Sequence, residues 1–499
     1  MEINSFDQDS EQIPINLTEA SDNNNYEITS IKKVKQKYFS KSCLMFVFTE
    51  IIIFFIIYFV FKHSIIELNI KLKELQNKME KFDKEVVKKK IGIAFVNPSI
   101  YGNGIGRLLS VLTDLIVKTG RYDVYLINEE ITDFDFKYNK KIKRIIQNKT
   151  LEEMKDFDEA NDIQIYILNN DISDDIEIYK SFGKKVIGIL HGVFLSCMFT
   201  NEPDAYLLFN GFSRLDSFVH IIPDDYYFYR KFGFNNTIYI PNVYTFESKD
   251  TPLSPLTDKN VLMVGRVDDV IKGGKYGILA MAEIIKEVPD ATLTIVSPSV
   301  PEDLVNLTKQ LEIEDNVIWT GYSQNISEFY LNASVLLVTS ISESFPMVMN
   351  EGKAHGLPIV SFNIEYSPSF QSGVITVEMF NHSLMAKETI KLLNDYNFRK
   401  KKGQEAKLSL DTYKNNETIA MWEKLFHSLI NGTENYLKFK EEVRKKYYNE
   451  TLAKEHLERQ FKYAQKLNNA FSCHSFENFT SLDYISKLEV CLNKKLQNI

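Results

Sequence analysis

Residues 335–362 read VLLVTSISESFPMVMNEGKAHGLPIVSF, and their texture decides the architecture. Val335–Val338 is a short unbroken apolar run, as a strand buried on both faces requires. It leads into a polar loop carrying Glu343. A helix is predicted to begin around Ser344–Pro346, where proline is tolerated in the first turn. Glu351 follows Glu343 by eight residues, and Pro358–Phe362 is a second apolar run. Strand, helix and strand in that order make one unit of a parallel sheet. The helix start offers free N–H groups and a positive dipole end to a phosphate. A carboxylate in the loop can accept hydrogen bonds from sugar hydroxyls, and one further into the helix can hold a ribose. For either glutamate alone, capping and dipole stabilisation would be the better reading.

The same rhythm extends outward. Val261–Val264, Thr292–Val296 and Val317–Trp319 read as strands, and Tyr276–Lys286 as a helix. Upstream, the linker SKDTPLSPLTDKN ends near Asn260 and separates an earlier series. That series opens with Ile91–Val96, followed by the glycine loop NPSIYGNGIGR and a helix carrying Leu108, Leu109, Val111, Leu112, Leu115 and Ile116. Val124–Ile127, Ile163–Leu168, Val186–Leu190 (ending at His191-Gly192) and Ile238–Ile240 complete it. The fold class is therefore α/β, with two Rossmann-like lobes whose carboxyl edges face a cleft where ligands bind.

The strand Val261–Val264 ends in Gly265-Arg266, and Lys272-Gly273 follows. Two cations at the carboxyl edge of a parallel sheet suit a diphosphate, Arg as a fork and Lys as a point charge. The combination GR-x5-KG, then E-x7-E followed by GKAHGLPIV, resembles the donor lobe of retaining glycosyltransferases of family 4, which have the two-lobed GT-B fold. Residues 343–362 look like that family's E-G-F-P-M-V-x-x-E-A-x-x-x-G-x-P-V-V-S-F, and NETIAMWEKLFHSLI (416–430) looks like its closing helix, with Trp422, Leu425, Phe426 and Leu429 on one face. The likeness spans roughly residues 91–432.

What the resemblance implies can be carried over residue by residue. Arg266 and Lys272 would neutralise the donor diphosphate, Glu351 would bind the ribose, and Glu343 the hydroxyls of the transferred sugar. Gly104, Ile105 and Gly106 match the glycine-rich loop that lets backbone approach the donor, and His191 matches the active-site histidine. Phe345, beside Glu343, falls within the donor-binding run. The resemblance implies transfer of a hexose from a UDP- or GDP-sugar to a saccharide or lipid-linked acceptor. Configuration would be retained, with no metal and no permanent cofactor. The sequence departs from the pattern at Ser344 and Val243, each usually glycine, and at Gly352, usually alanine; Pro346 matches it but removes an N–H that other members of the family could offer to phosphate.

Outside the lobes, Leu44–Phe61 reads LMFVFTEIIIFFIIYFVF. Its fourteen Leu, Ile, Val and Phe contribute about −0.4 kcal/mol each to insertion, against about +3 kcal/mol for Glu50. The balance predicts a single transmembrane helix. Ile65, Leu68, Leu72, Leu75, Met79, Phe82 and Val86 form a heptad seam, read as a parallel coiled-coil stalk that pairs two chains into a homodimer; one amphipathic helix is the alternative. Residues 1–31 hold seven acids and no Lys or Arg, the composition of a disordered tail. Five lysines precede the span and three follow it closely. The positive-inside rule then sets the tail in the cytoplasm and the head in the lumen, of the endoplasmic reticulum or Golgi in a eukaryote. Ten N-x-[ST] sequons beyond the span agree weakly with that topology.

The predicted divisions are 1–41 tail and basic flank, 42–62 membrane span, 63–90 stalk, 91–245 acceptor lobe, 246–415 donor lobe, and 416–499 closing helix with a helical extension. The net charge of −8 argues against a nucleic-acid partner. Four cysteines without C-x-x-C spacing argue against a zinc module, and Cys473 with Cys491 could pair in a lumenal head. Asp133-Phe134-Asp135 and Asp156-Phe157-Asp158 are the Asp-x-Asp spacing that metal-dependent transferases use, but such pairs are cheap in an Asp-rich chain. Gly102-x-Gly104-x-Gly106 is not a dinucleotide fingerprint. The rival of a different class is a membrane-tethered, non-catalytic scaffold that keeps the fold; the intact Arg, Lys and paired Glu argue against it.

Overall fold

A computed structural model describes residues 90–472 apart from 98–103, 130–131, 133–134, 147–149, 170–174, 193–209, 232, 268–270, 365–370 and 411–413, together with parts of 49–74. The chain divides into two compact units, Met1–Lys88 and Lys89–Ile499.

In the first unit the described residues between 49 and 74 are helical. Ile52, Ile53, Tyr58, Val60, Phe61, Ile65, Leu68 and Leu72 are all more than half exposed. Among the described residues no helix is long and apolar enough to cross a membrane; much of the predicted span 42–62 lies outside them, as do the tail 1–41 and the stalk beyond residue 74. Cys473, Cys491 and the end of the helical extension likewise lie outside the described residues.

The second unit holds two parallel sheets. The first contains β1 (Ile91–Val96), β2 (Tyr122–Asn128), β3 (Lys143–Ile146), β4 (Ile163–Asn169), β5 (Lys185–Leu190), β6 (Ser217–His220) and β7 (Thr237–Tyr239), in the order 3-2-1-4-5-6-7. The second contains β8 (Asn260–Val264), β9 (Thr292–Val296), β10 (Val317–Trp319), β11 (Val335–Val338), β12 (Ile359–Phe362) and β13 (Ile375–Val377), in the order 10-9-8-11-12-13. The central strands are buried almost end to end, because helices cover both faces and no solvated face asks for alternation. Strand order reverses beside β1 in one sheet and beside β8 in the other. Such switch points open a crevice beyond the carboxyl ends of the flanking strands.

Three helices position the site: α1 (Gly104–Lys118), α2 (Gly274–Glu287) and α3 (Met347–Ala354). Three more close the molecule: α4 (Asn415–Ile430), α5 (Thr433–Tyr447) and α6 (Glu450–Ser472). Helix α4 returns from the second lobe to the first. Trp422, Leu425, Phe426 and Leu429 are buried, and Phe426 meets the ring of Tyr122 edge-on at 5.5 Å. Helix α5 continues along the first lobe, with the Tyr436 hydroxyl on the carbonyl of Asn236 (3.2 Å).

Candidate active site

The site forms where β8 and β11 end. Gly265 adopts φ 130°, which lets the chain turn directly after β8 and present Arg266. Gly273 adopts φ 61°, and a Cβ there would lie 2.6 Å from the carbonyl oxygen of Thr339. Only glycine allows that approach. The two loops are sewn together by the Thr339 hydroxyl donating to the Lys272 carbonyl (2.7 Å) and the Ile341 N–H donating to the Ile271 carbonyl (2.8 Å). The result sets Lys272 Nζ 2.6 Å from Glu343 Oε1, with Glu343 only 9% exposed.

Arg266, Lys272, Glu343 and Phe345 line one cavity of about 780 Å³ together with Gly104 of the first lobe. Pro346 is the N-cap of α3, and Met347 and Val348, whose N–H groups have no partner in a preceding turn, stand on the cavity wall. One turn further, Glu351 lines an adjoining cavity of about 620 Å³. Gly104, Val264, Gly265, Met347 and Val348 border both, so the two spaces are continuous.

Glu351 is 4% exposed and firmly held. Its Oε2 accepts from the Tyr330 hydroxyl at 2.8 Å, and Oε1 lies 3.4 Å from Arg107 Nε. Burial pushes the Tyr330 hydroxyl far above the ordinary phenol range, so it stays a donor. Tyr330 stacks on His355 at 5.1 Å. His355 Nδ1 donates to the Glu351 carbonyl and its Nε2 accepts from Ser327 Oγ, both at 2.8 Å. The ring is held neutral by burial.

In the first lobe, Gly104 opens α1 at the cavity wall, and a Cβ there would meet nothing within 4 Å. Gly106 lines neither cavity; it is buried, and its carbonyl accepts from Tyr138 (3.1 Å). His191 follows β5 and also lines neither cavity. The amide of Asn169 donates to the Val96 carbonyl (3.0 Å), which turns its oxygen toward His191 Nε2 at 2.8 Å. Burial pushes the His191 pKa down to about 3, so at neutral pH the imidazole is uncharged. Its carbonyl accepts from the Ser344 hydroxyl across the lobes.

Sequence reasoning missed Arg107, Phe136, Tyr322, Tyr330 and the work of Ser344. Arg107 closes the glycine-loop motif, so a cation one turn into a helix at a sheet edge was a usable signal. Ser344 stood out only as a departure from glycine. Its hydroxyl gives the lobe contact that glycine would lack. The other departures also have local causes. Val243 is 1% exposed and is not among the residues with positive φ, so that turn makes no demand for glycine. A Cβ at Gly352 would lie 2.5 Å from Leu336 Cδ2, which explains the missing methyl. Among the Asp-x-Asp residues, Asp135 pairs with Arg144 (2.6 Å), and Asp158 with Lys184 (2.6 Å) and the Tyr166 hydroxyl (2.9 Å). Asp133 and Phe134 lie outside the described residues.

Two Rossmann-like lobes with a polar cleft at their switch points define a GT-B architecture. Solved structures agree. Sucrose-phosphate synthase from Thermosynechococcus elongatus superposes with TM-score 0.58 at 15% identity, over 69% of this chain and 100% of that one. Anabaena HepE in complex with UDP and glucose gives 0.56 at 14%, over 68% and 100%. Residues 245–409, most of the second lobe, match the family Glycosyl transferases group 1. An uncharacterized glycosyltransferase of Haemophilus influenzae is 38% identical over 134 residues, 27% of this chain and 37% of that protein. The N-acetyl-alpha-D-glucosaminyl L-malate synthase of Bacillus anthracis is 27% identical over 183 residues, 35% and 45%. The chain thus spans less than half the length of these relatives.

Proposed function

We propose that the protein is a membrane-anchored glycosyltransferase that moves a hexose from a nucleotide diphosphate sugar to a saccharide or lipid-linked acceptor with retention of configuration. The observation that carries this reading is the convergence of Arg266, Lys272 and Glu343 on one cavity, with Glu351 on its continuation. The donor diphosphate meets Arg266, Lys272 and the start of α3. These charges and dipoles are fixed before the reaction, so stabilising the departing nucleoside diphosphate requires little reorganisation. An arriving diphosphate competes with Glu343 for Lys272 and turns that carboxylate toward the sugar hydroxyls. Glu351 takes the ribose. His191, being neutral, acts as a hydrogen-bonding group and not as a cation. The acceptor attacks the face from which the diphosphate leaves, and a leaving phosphate oxygen takes its proton. Lys and Arg supply the positive charge, and no metal is required.

The anchor is residues 44–61, supported by the composition of that run and the exposure of its described apolar side chains. The stalk would pair two chains, with the tail cytoplasmic and the head lumenal. Glycans on the sequons beyond the span would agree with that topology; unmodified sequons on a chain made in a glycosylating host would reverse it. Turnover of UDP- and GDP-sugars by the purified full chain, with and without EDTA, tests the chemistry. Activity lost to EDTA would sink the metal-free route. Binding without turnover of any nucleotide sugar would leave a scaffold that keeps the fold.

A further inference from the structure

We propose that the first lobe completes the nucleoside pocket: Phe136 covers the base, and Arg107 positions Glu351, the carboxylate that takes the ribose. The inference rests on reading the cleft as a nucleotide-sugar site. Beyond Glu351 the smaller cavity is an apolar slot with a polar edge. Val296 and Ile326 supply apolar wall, while Ser297 and Gln324 offer hydrogen-bonding groups. Ser297 is 1% exposed, and its hydroxyl is buried with no partner. A buried hydroxyl in that state is costly until something pairs with it. A flat heterocycle with donors and acceptors along one edge fits both features, as a sugar or a phosphate does not.

The open face of the slot belongs to the other lobe. Phe136 meets Tyr322 edge-on, with ring centroids 6.2 Å apart, and both rings border the cavity. Phe136 is held firmly from both sides. The Asp135 carboxylate pairs with Arg144 at 2.6 Å, and the Tyr138 hydroxyl donates to the Gly106 carbonyl. The guanidinium of Arg107 lies 5.5 Å from the Phe136 ring and 5.7 Å from that of Phe246, distances at which a cation is attracted to an aromatic face. Phe246 belongs to the connection between the lobes. Arg107 therefore ties together the base cover, the lobe connection and the ribose carboxylate. A nucleotide seated on the second lobe alone would lack its cover.

Calorimetry on the full chain tests this with UDP, GDP and inorganic pyrophosphate as probes. Stacking on an aromatic ring supports an expectation of about tenfold weaker binding of the preferred nucleoside diphosphate in Phe136→Ala. Pyrophosphate binding should not change, and Phe136→Tyr should restore the affinity. Arg107→Ala should raise the donor KM by more than it lowers kcat, with Arg107→Lys recovering only part, since an ammonium cannot at once meet Glu351 and lie over the rings of Phe136 and Phe246 as the planar guanidinium does. Undiminished nucleotide affinity in a normally folded Phe136→Ala overturns the proposal. So does a loss equal for pyrophosphate and nucleotide, because the base would not be what Phe136 reads. A wild-type chain that binds neither UDP nor GDP sinks the nucleotide-sugar reading itself.

Discussion

Lys272 and Glu343 meet at 2.6 Å, yet the two are not equally exposed. The lysine keeps 31% of its side-chain surface in solvent and the glutamate 9%. The exposed end of the pair is the lysine, so Lys272 can turn from Glu343 to an arriving phosphate, while the carboxylate stays on the buried side. Lys272→Ala should lower kcat by about 100-fold or more, the scale of losing a preorganised charge at a leaving group, a loss far beyond the fall in stability from taking one partner away from the buried Glu343. An unchanged turnover would refute its phosphate role. His191 and His220 carry the opposite balance. Both have pKa values pushed down to about 3 by burial, from an ordinary 6.5. Between those values the unfolded chain binds protons that the folded chain excludes, so stability is present above 6.5 and is lost as pH falls toward 3. Each unit below 6.5 costs about 1.4 kcal/mol per histidine. Urea unfolding at pH 5 should therefore give a lower free energy than at pH 7, with about 2 kcal/mol of the loss from His220 alone and the lowered His191 and His355 adding to it. His220 is caged by Phe218 and Tyr229 with neither ring nitrogen paired. His220→Phe is expected to flatten the slope accordingly; an unaltered slope would mean that another group titrates.

Among the elements, the turn from β8 into α2 carries the most constraint per residue. Gly273 combines a left-handed conformation with a backbone carbonyl 2.6 Å from where a Cβ would sit. Gly273→Ala should destabilise the protein by about 2 kcal/mol, the left-handed penalty plus displacement of the β11 loop. It should also raise the donor KM, because Lys272 moves with the turn. Denaturant unfolding and donor kinetics on one variant check both effects. That turn was legible in the sequence because Lys-Gly follows a clean apolar strand. The central strands were legible for the same reason, and β9, β10 and β11 fall on the residues the apolar runs predict. Two of the three strands that were not predicted, β3 and β6, lack that signature, and the third, β13, is only three residues long. KRII in β3 sits at a sheet edge and is half charged. SFVH in β6 buries a serine and a histidine, which a hydropathy reading takes for loop. Helix α1 begins at Gly104, so Gly104 and Gly106 stand in a helical first turn where a glycine loop was expected. Arg107 left a signal as a cation closing the glycine motif, but its pairing with Glu351 was not legible, because 244 residues separate the two; Tyr330 carries no signal of its own, since its meaning is its bond to Glu351.

At the scale of the whole molecule, the two lobes are joined by more than the cleft. Helix α6 starts on the first lobe, where Lys231 pairs with Glu450 and His456 with Asp224. It ends on the second, where Tyr463 donates to the carbonyl of Ile341, two residues before Glu343. The connection itself is pinned at Tyr244. Asn415, at the start of α4, accepts from the Tyr244 N–H at 2.7 Å and donates to the Tyr244 carbonyl at 3.0 Å. Asn415 is 5% exposed and Tyr244 8%, so water cannot readily replace either bond. Removing the amide takes this partner away from a buried donor and a buried acceptor, at a cost of up to about 1–3 kcal/mol for each such group. Tyr244 also packs against Phe345 at 5.7 Å, which borders the donor cavity. Looseness at this point is therefore felt in the site. Asn415→Ala should lower the unfolding free energy by about 2–4 kcal/mol and shift kcat and KM together, the signature of a residue at a hinge. Asn415→Asp keeps an acceptor for the Tyr244 N–H but sets a carboxylate against the carbonyl, so it should not rescue. A variant that unfolds earlier yet keeps both donor parameters would show that the pin serves stability alone and that the lobes are positioned by α6 and the cleft contacts.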